Sequence, residues 1–225
     1  PSRGLGDVYK RQVYFLAADH DKAQLILSVR GTWSLVEVLS ICLVSPAPFA
    51  GGTAHRGMLH MAEMLVDELL GPLRALLTGD VPEGLQGGGG EAELAKKLAR
   101  TRGYELVLTG HSLGAGVAAL ASVLFRQRLG GVAGHRVRAV TFATPAVVSE
   151  NAAAAMESTV TAVVHGDDFV PRIHLQALEG LRAELAGEEW VRTLWGEAWS
   201  QVTTQLMSQL ADQLTKAAPP PSAPA

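Results

Sequence analysis

The residues of this chain best suited to chemistry lie in the run Gly110-His111-Ser112-Leu113-Gly114, which fits the pattern G-x-S-x-G. A serine hydroxyl attacks a carbonyl only when it is held beside a base and a site for the developing oxyanion. The flanking sequence supplies a way to present it: ELVLTG reads as a buried strand ending at the motif, and LGAGVAALASVLF as a helix starting there. A serine on so tight a strand-to-helix turn has a strained backbone. Strand and helix then pass so closely that only glycine fits two positions before and after it, where Gly110 and Gly114 stand, with Gly116 and Ala118 continuing the small-residue face. The turn aims the Leu113 N–H and the positive end of the helix dipole at the charge that forms during attack. The alternative is a structural Gly-Ser-Gly turn without chemistry.

Such a turn needs a sheet and covering helices, and the rest of the chain predicts them. VYFLAAD and AQLILSVRG read as adjacent antiparallel strands around the turn signal His20-Asp21-Lys22. After SLVEVLSICLV comes a Pro/Gly loop, SPAPFAGGT, and then HRGMLHMAEMLVDELLGPLRALL, a helix that Pro72 is expected to kink or divide. VPEGLQGGGG reads as a flexible connector and EAELAKKLART as a helix stopped at Gly103. Beyond the motif helix follow strand RVRAVTFA, a short alanine-rich helix, strand STVTAVVHG and helix LQALEGLRAEL. Strands alternating with helices predict an α/β fold, a mostly parallel sheet covered by helices on both faces.

Bulk properties narrow the function. With 225 residues, one large domain is expected. The 19 basic and 22 acidic residues form no block that could grip a phosphate backbone, so nucleic acid is not an expected partner. Cys42 is the single cysteine, which leaves no disulfide framework or thiolate metal cluster and points to a reducing compartment. Residues 1–12 read as a leader or expression remnant. No stretch approaches the roughly 20 apolar residues of a membrane span. Residues 187–218 predict an amphipathic helix with Trp195 and Trp199 on its apolar stripe, set to pack on this protein's core, on a partner or on a membrane. Residues 219–225 form a Pro/Ala-rich tail.

The blocks GHSLGAGVAALASVL, VRGTWSLVEVLSICLV, HRGM and VTAVVHGDDFVPRIHLQALEGLRAEL together resemble the catalytic domain of diacylglycerol lipases, members of the class 3 lipase family of α/β hydrolases. The resemblance implies an α/β-hydrolase core over residues 13–186, incomplete at its C-terminal part. It implies Ser112 as nucleophile, Asp168 of the D-hydrophobic-V-P-R block as the triad carboxylate, and Thr32 after R-G as the second oxyanion donor beside Leu113. Asp168 follows the strand STVTAVVHG and so is expected at the sheet edge that presents Ser112, while Asp167, one place earlier, fits a turn aspartate. Residues 33–53 would correspond to the family's lid, although Glu37 and Ile41 stand where the family usually has aspartates.

In this fold the histidine base follows the acid. His174 is the only histidine after Asp168, six residues on, in a block where the family has no catalytic histidine. It reads better as a helix-start or pocket residue. No catalytic histidine is therefore identified, and a fragment with impaired activity is expected. The implied function is hydrolysis of a glycerolipid ester at a lipid interface, without metal or organic cofactor, on the cytoplasmic side and membrane-associated in the intact protein. The alternatives are a phospholipase or general esterase on the same core, and a non-catalytic lipid-binding or regulatory homologue.

Overall fold

The computed structural model describes residues 13–31, 46–86, 90–172 and Gly180. The chain divides into two compact units, Pro1–Trp33 with Val44–His174, and Ser34–Leu43 with Leu175–Ala225. The first holds every described residue except Gly180. Residues 187–218, with their tryptophan stripe, lie outside the described residues, as do 1–12 and 219–225.

Five strands form one sheet in the order β1 (Tyr14–Asp19), β2 (Gln24–Val29), β5 (Glu105–His111), β6 (Val137–Phe142) and β7 (Val160–Val163). β1 pairs antiparallel with β2, and the remaining pairs are parallel. The strand residues alternate between two faces, and the register lines up Leu25, Leu106 and Val137 on one of them, followed by Leu27, Leu108 and Ala139. All six are buried. Against this face lies helix α3 (Leu113–Ala133), which packs on β5 and β6, and helix α1 (Arg56–Thr78) packs in turn on α3. Covered from both sides, α3 is small or apolar all round over residues 113–125, before the exposed Gln127 and Arg128, and its Gly and Ala residues let sheet and helix approach closely. The connections from β2 to β5, β5 to β6 and β6 to β7 all step the same way across the sheet, so right-handed crossovers put their helices on one face. The expected second helical layer, on the face of Ile26 and Val140, is not among the described residues.

Three local expectations are corrected. The Pro/Gly loop is a hairpin of β3 (Pro46–Phe49) and β4 (Gly52–His55). Its prolines are tolerated because Pro46 and Pro48 oppose His55 and Thr53, whose amides point away from β3: His55 N–H donates to the Val147 carbonyl and Thr53 N–H to Ser149 Oγ. No ladder bond is asked of either proline. Residues 46–53 of the expected lid thus belong to this hairpin, and residues 33–45 lie outside the described residues.

Helix α1 also runs uninterrupted through Pro72. The bond lost there would join Pro72 to Glu68, and both residues are exposed, so the loss falls on the solvent side of the helix. His55 caps the start of α1, its Nδ1 accepting from Met58 N–H, and Gly79 at φ 80° ends it. Within the connector, Glu83–Leu85 forms a 3-10 turn ahead of α2 (Glu91–Ala99). Helix α4 (Glu150–Met156) is the short alanine-rich helix between β6 and β7. Among the described residues, no helix is long and apolar enough to cross a membrane.

Candidate active site

Ser112 sits where β5 gives way to α3, at φ 55° and ψ −124°, a conformation that L-residues hold only when their surroundings enforce it. Three close approaches do so. A Cβ on Gly110 would meet the Gly114 carbonyl oxygen at 2.4 Å, and one on Gly114 would meet the Val29 carbonyl oxygen at 2.3 Å. A Cβ on Gly31 would meet the His111 carbonyl oxygen at 2.5 Å. The end of β2, the end of β5 and the start of α3 therefore touch backbone to backbone around the serine. Ser112 is 7% exposed, a setting where dipoles are screened less than in bulk water.

The Ser112 carbonyl accepts from Ala115 and Gly116 N–H, closing the first turn of α3. A helix start leaves its first amides without acceptors inside the helix, here Leu113 and Gly114, at the positive end of a helix that runs unbroken until Gly130, where φ is 54°. The serine side chain makes no cap bond to that helix, so its hydroxyl is not committed to holding the turn. The Ser112 N–H donates to the Phe142 carbonyl at 3.1 Å, anchoring the bend to the end of β6.

Asp168 lies five residues past the end of β7, at the same carboxyl edge as Ser112. Its Oδ1 accepts from Val170 N–H at 3.0 Å and its own N–H donates to the His165 carbonyl. Arg172 ties the loop from the other side, donating to the carbonyls of Asp168 and, at 3.4 Å, of Gly166. Asp168 thus also fills the turn-forming role, while Asp167 is exposed. Since β6 separates β5 from β7, the strands that carry the two residues stand about 10 Å apart.

Thr32 and His174 lie outside the described residues; of the early R-G block, Arg30 and Gly31 are described. Sequence reasoning missed Phe142, whose carbonyl anchors the serine, and Arg172, which ties the aspartate loop. A backbone carbonyl carries no sequence signature, whereas Arg172 stood inside the block that carried the resemblance. Around this edge Phe142, Val163, Val164 and Phe169 expose large apolar side chains, Phe142 to 45% and Phe169 to 56%.

Comparison with known proteins agrees with this architecture. The family model described as Lipase (class 3) matches residues 26–178. Diacylglycerol lipase-alpha of Homo sapiens is 34% identical over 180 residues, 76% of this chain and 15% of that protein. This chain therefore spans a small part of that relative's length. Among solved structures, Rhizomucor miehei triacylglyceride lipase superposes with a TM-score of 0.56 at 19% identity, over 76% of this chain and 58% of that one. A triacylglycerol lipase whose catalytic centre is formed by a serine protease triad gives 0.55 at 21% identity, over 76% and 58%. These structures share the fold, and the family model covers well over half of the sequence, including both the serine bend and the aspartate loop. With its mostly parallel sheet and its strand-to-helix serine, the chain belongs to the class 3 lipase family and has the α/β-hydrolase fold.

Proposed function

We propose that this chain carries the nucleophile and the acid of a glycerolipid ester hydrolase, with Ser112 as the attacking residue. The observation that carries the reading is the strained φ of 55° at Ser112, held by backbone contacts at the head of α3. In the proposed reaction Ser112 Oγ adds to the ester carbonyl while an imidazole takes its proton, and the oxyanion is met by the Leu113 N–H and by Thr32. Collapse expels the alcohol, which receives that proton, and leaves the fatty acid esterified to Ser112. Water then attacks the acyl-enzyme by the same route and releases the fatty acid. Asp168 orients the imidazole and stabilises its charge through the carboxylate oxygen that Val170 leaves free. The reaction needs a histidine base following Asp168; His174 is the one histidine of the sequence in that stretch, lies outside the described residues, and is not assigned the role.

The name of the human relative supports diacylglycerol as the substrate, with a fatty acid and a monoacylglycerol as products. The exposed Phe142, Val163, Val164 and Phe169, all near the carboxyl edge of the sheet, support a meeting with lipid at an interface, since large apolar side chains left in water beside a site suit such contacts.

A fluorophosphonate probe tests the reading, because it phosphonylates only an activated serine. Labelling of the purified protein is expected at Ser112, slow for want of an assigned histidine base, and abolished in Ser112→Ala; any fatty acid it releases is expected to come from diacylglycerol in preference to phospholipid. Labelling that survives in Ser112→Ala would remove Ser112 from the chemistry. Preference for phospholipid would keep the serine and overturn the substrate.

A further inference from the structure

Away from the serine bend, an open groove of about 430 Å³ lies between α1, the connector and α2. Pro72 and Leu76 of α1, Pro82 and Leu85 of the connector, and Leu94 and Leu98 of α2 line it, and every residue of its wall is Gly, Ala, Pro or Leu. Leu85 stands 56% exposed on its lip, and a smaller hollow that shares Leu85 and Leu94 continues the groove as far as Glu91. The rim is acidic. Glu68 precedes Pro72 by one helical turn and so shares its face of α1, where it accepts from Tyr14 Oη, and Glu83 opens the turn that carries Leu85. From Ala75 to Ala95 the sequence holds four carboxylates, Asp80, Glu83, Glu91 and Glu93, and no lysine, arginine or histidine. Of the bases that flank this stretch, Lys97 pairs with Glu93, Arg74 donates to the Arg128 carbonyl, and Arg102 lies over Gly79. Lys96 and Arg100, each two residues from Leu98, project from the other side of α2. The length of α1 sets the groove apart from the reaction: Met58, in its first turn, faces Gly116 beside the serine bend, and Pro72 lies about 20 Å farther along the helix.

We infer that this groove docks a basic amphipathic helix of a partner protein. Apolar anchors at i, i+3 or i+4 and i+7 enter between Pro72, Leu94 and Leu98, and lysines or arginines beside them meet Glu68, Glu83 and Glu91. The acidic rim decides among the occupants that an apolar hollow could take. A fatty acid brings its carboxylate, and an anionic membrane its phosphates, against the same glutamates, whereas a cationic helix gains from them. A second copy, seated about a two-fold axis, sets glutamate against glutamate. The inference is independent of the reading of Ser112, because the groove takes no part in catalysis.

The test titrates the purified chain with a fluorescent synthetic peptide of about 18 residues, carrying leucines at that spacing and lysines elsewhere. Saturable one-to-one binding is expected, with the amides of Gly71, Gly84 and Leu94 shifting in nuclear magnetic resonance spectra and those of Leu108 and Ser112 staying in place. Leu85→Asp, at an exposed position, should keep the wild-type melting temperature and weaken binding about tenfold or more, although it adds a negative charge. Glu83→Lys should weaken it by a similar factor, and a peptide with glutamate in place of lysine should not bind. Binding that stays equal or tightens in Leu85→Asp is attraction to charge alone and overturns the proposal, as does a lysine peptide that leaves the groove amides unshifted. Oleate that shifts the same amides without peptide assigns the groove to an acyl chain and overturns it. Self-association of the wild type that Leu85→Asp abolishes overturns it in favour of a second copy. The amide shifts are read on the wild type, so they decide the matter even where a variant does not fold.

Discussion

Gly31 lies so close to His111 that a Cβ added to it would stand 2.5 Å from the His111 carbonyl oxygen, nearer than real Cβ contacts come. The obstacle is backbone on the far side and cannot rotate away. Gly31→Ala must therefore push the end of β2, which leads directly to Thr32, away from the serine bend. The expected result is a fall of about 100-fold in kcat for ester hydrolysis, the scale of losing one oxyanion donor, with KM little changed. A proportionate rise in KM at constant kcat would show instead that this segment serves substrate binding.

The glycines of the serine bend differ in what they face, and their alanine variants should differ accordingly. In Gly114→Ala the new methyl would meet the Val29 carbonyl oxygen at 2.3 Å and the Arg30 carbonyl carbon at 2.7 Å, both main-chain atoms. Overpacking against backbone in a buried crossing is expected to cost about 3 kcal/mol or more, seen as a large drop in melting temperature. Gly116 is the contrast. Its added methyl would meet Met58 Sδ at 2.6 Å and Val147 Cγ1 at 3.0 Å, and a methionine end can swing aside. Gly116→Ala is expected to cost about 1 kcal/mol or less, partly because alanine favours a helix interior. Equal losses in the two variants would contradict this account of the close approach.

Much of this was legible in the sequence, because β5 and α3 announce themselves: a short apolar run ends at a glycine-flanked serine, and a long run rich in Ala and Gly begins there. The hairpin of β3 and β4 was not legible. Two prolines within three residues read as a loop, and only the partners Val147 and Ser149, about a hundred residues away, show that their missing amides cost nothing. The helix through Pro72 was hidden similarly, since only burial shows that its lost bond faces water. Ala143, which follows β6 with a left-handed backbone at φ 50°, was invisible for a deeper reason. Positive φ is signalled by Gly, Asn or Asp, and an alanine there is forced by tertiary contacts that no local pattern records.

Asp168 has two possible uses, and a single isosteric change separates them. Its Oδ1 accepts from Val170 N–H and helps shape the turn into Val170–Arg172, a duty that an asparagine carbonyl oxygen performs equally well. The loop is further held by Arg172 through main-chain carbonyls, which Asp168→Asn leaves untouched. Stability in that variant is therefore expected to stay within about 1 kcal/mol of the wild type. Catalysis is not expected to survive as well, because an amide neither stabilises an imidazolium nor fixes its productive tautomer; about 10⁴-fold in kcat is the scale for the acid of a complete triad, and a smaller loss is expected where no histidine base acts. The neighbouring Asp167→Asn should change neither quantity, since that side chain is exposed and the resemblance assigns it no role. Thermal melts and steady-state kinetics on the two variants decide the matter: full activity in Asp168→Asn would leave it a turn residue, and a loss confined to Asp167→Asn would move the acid by one position.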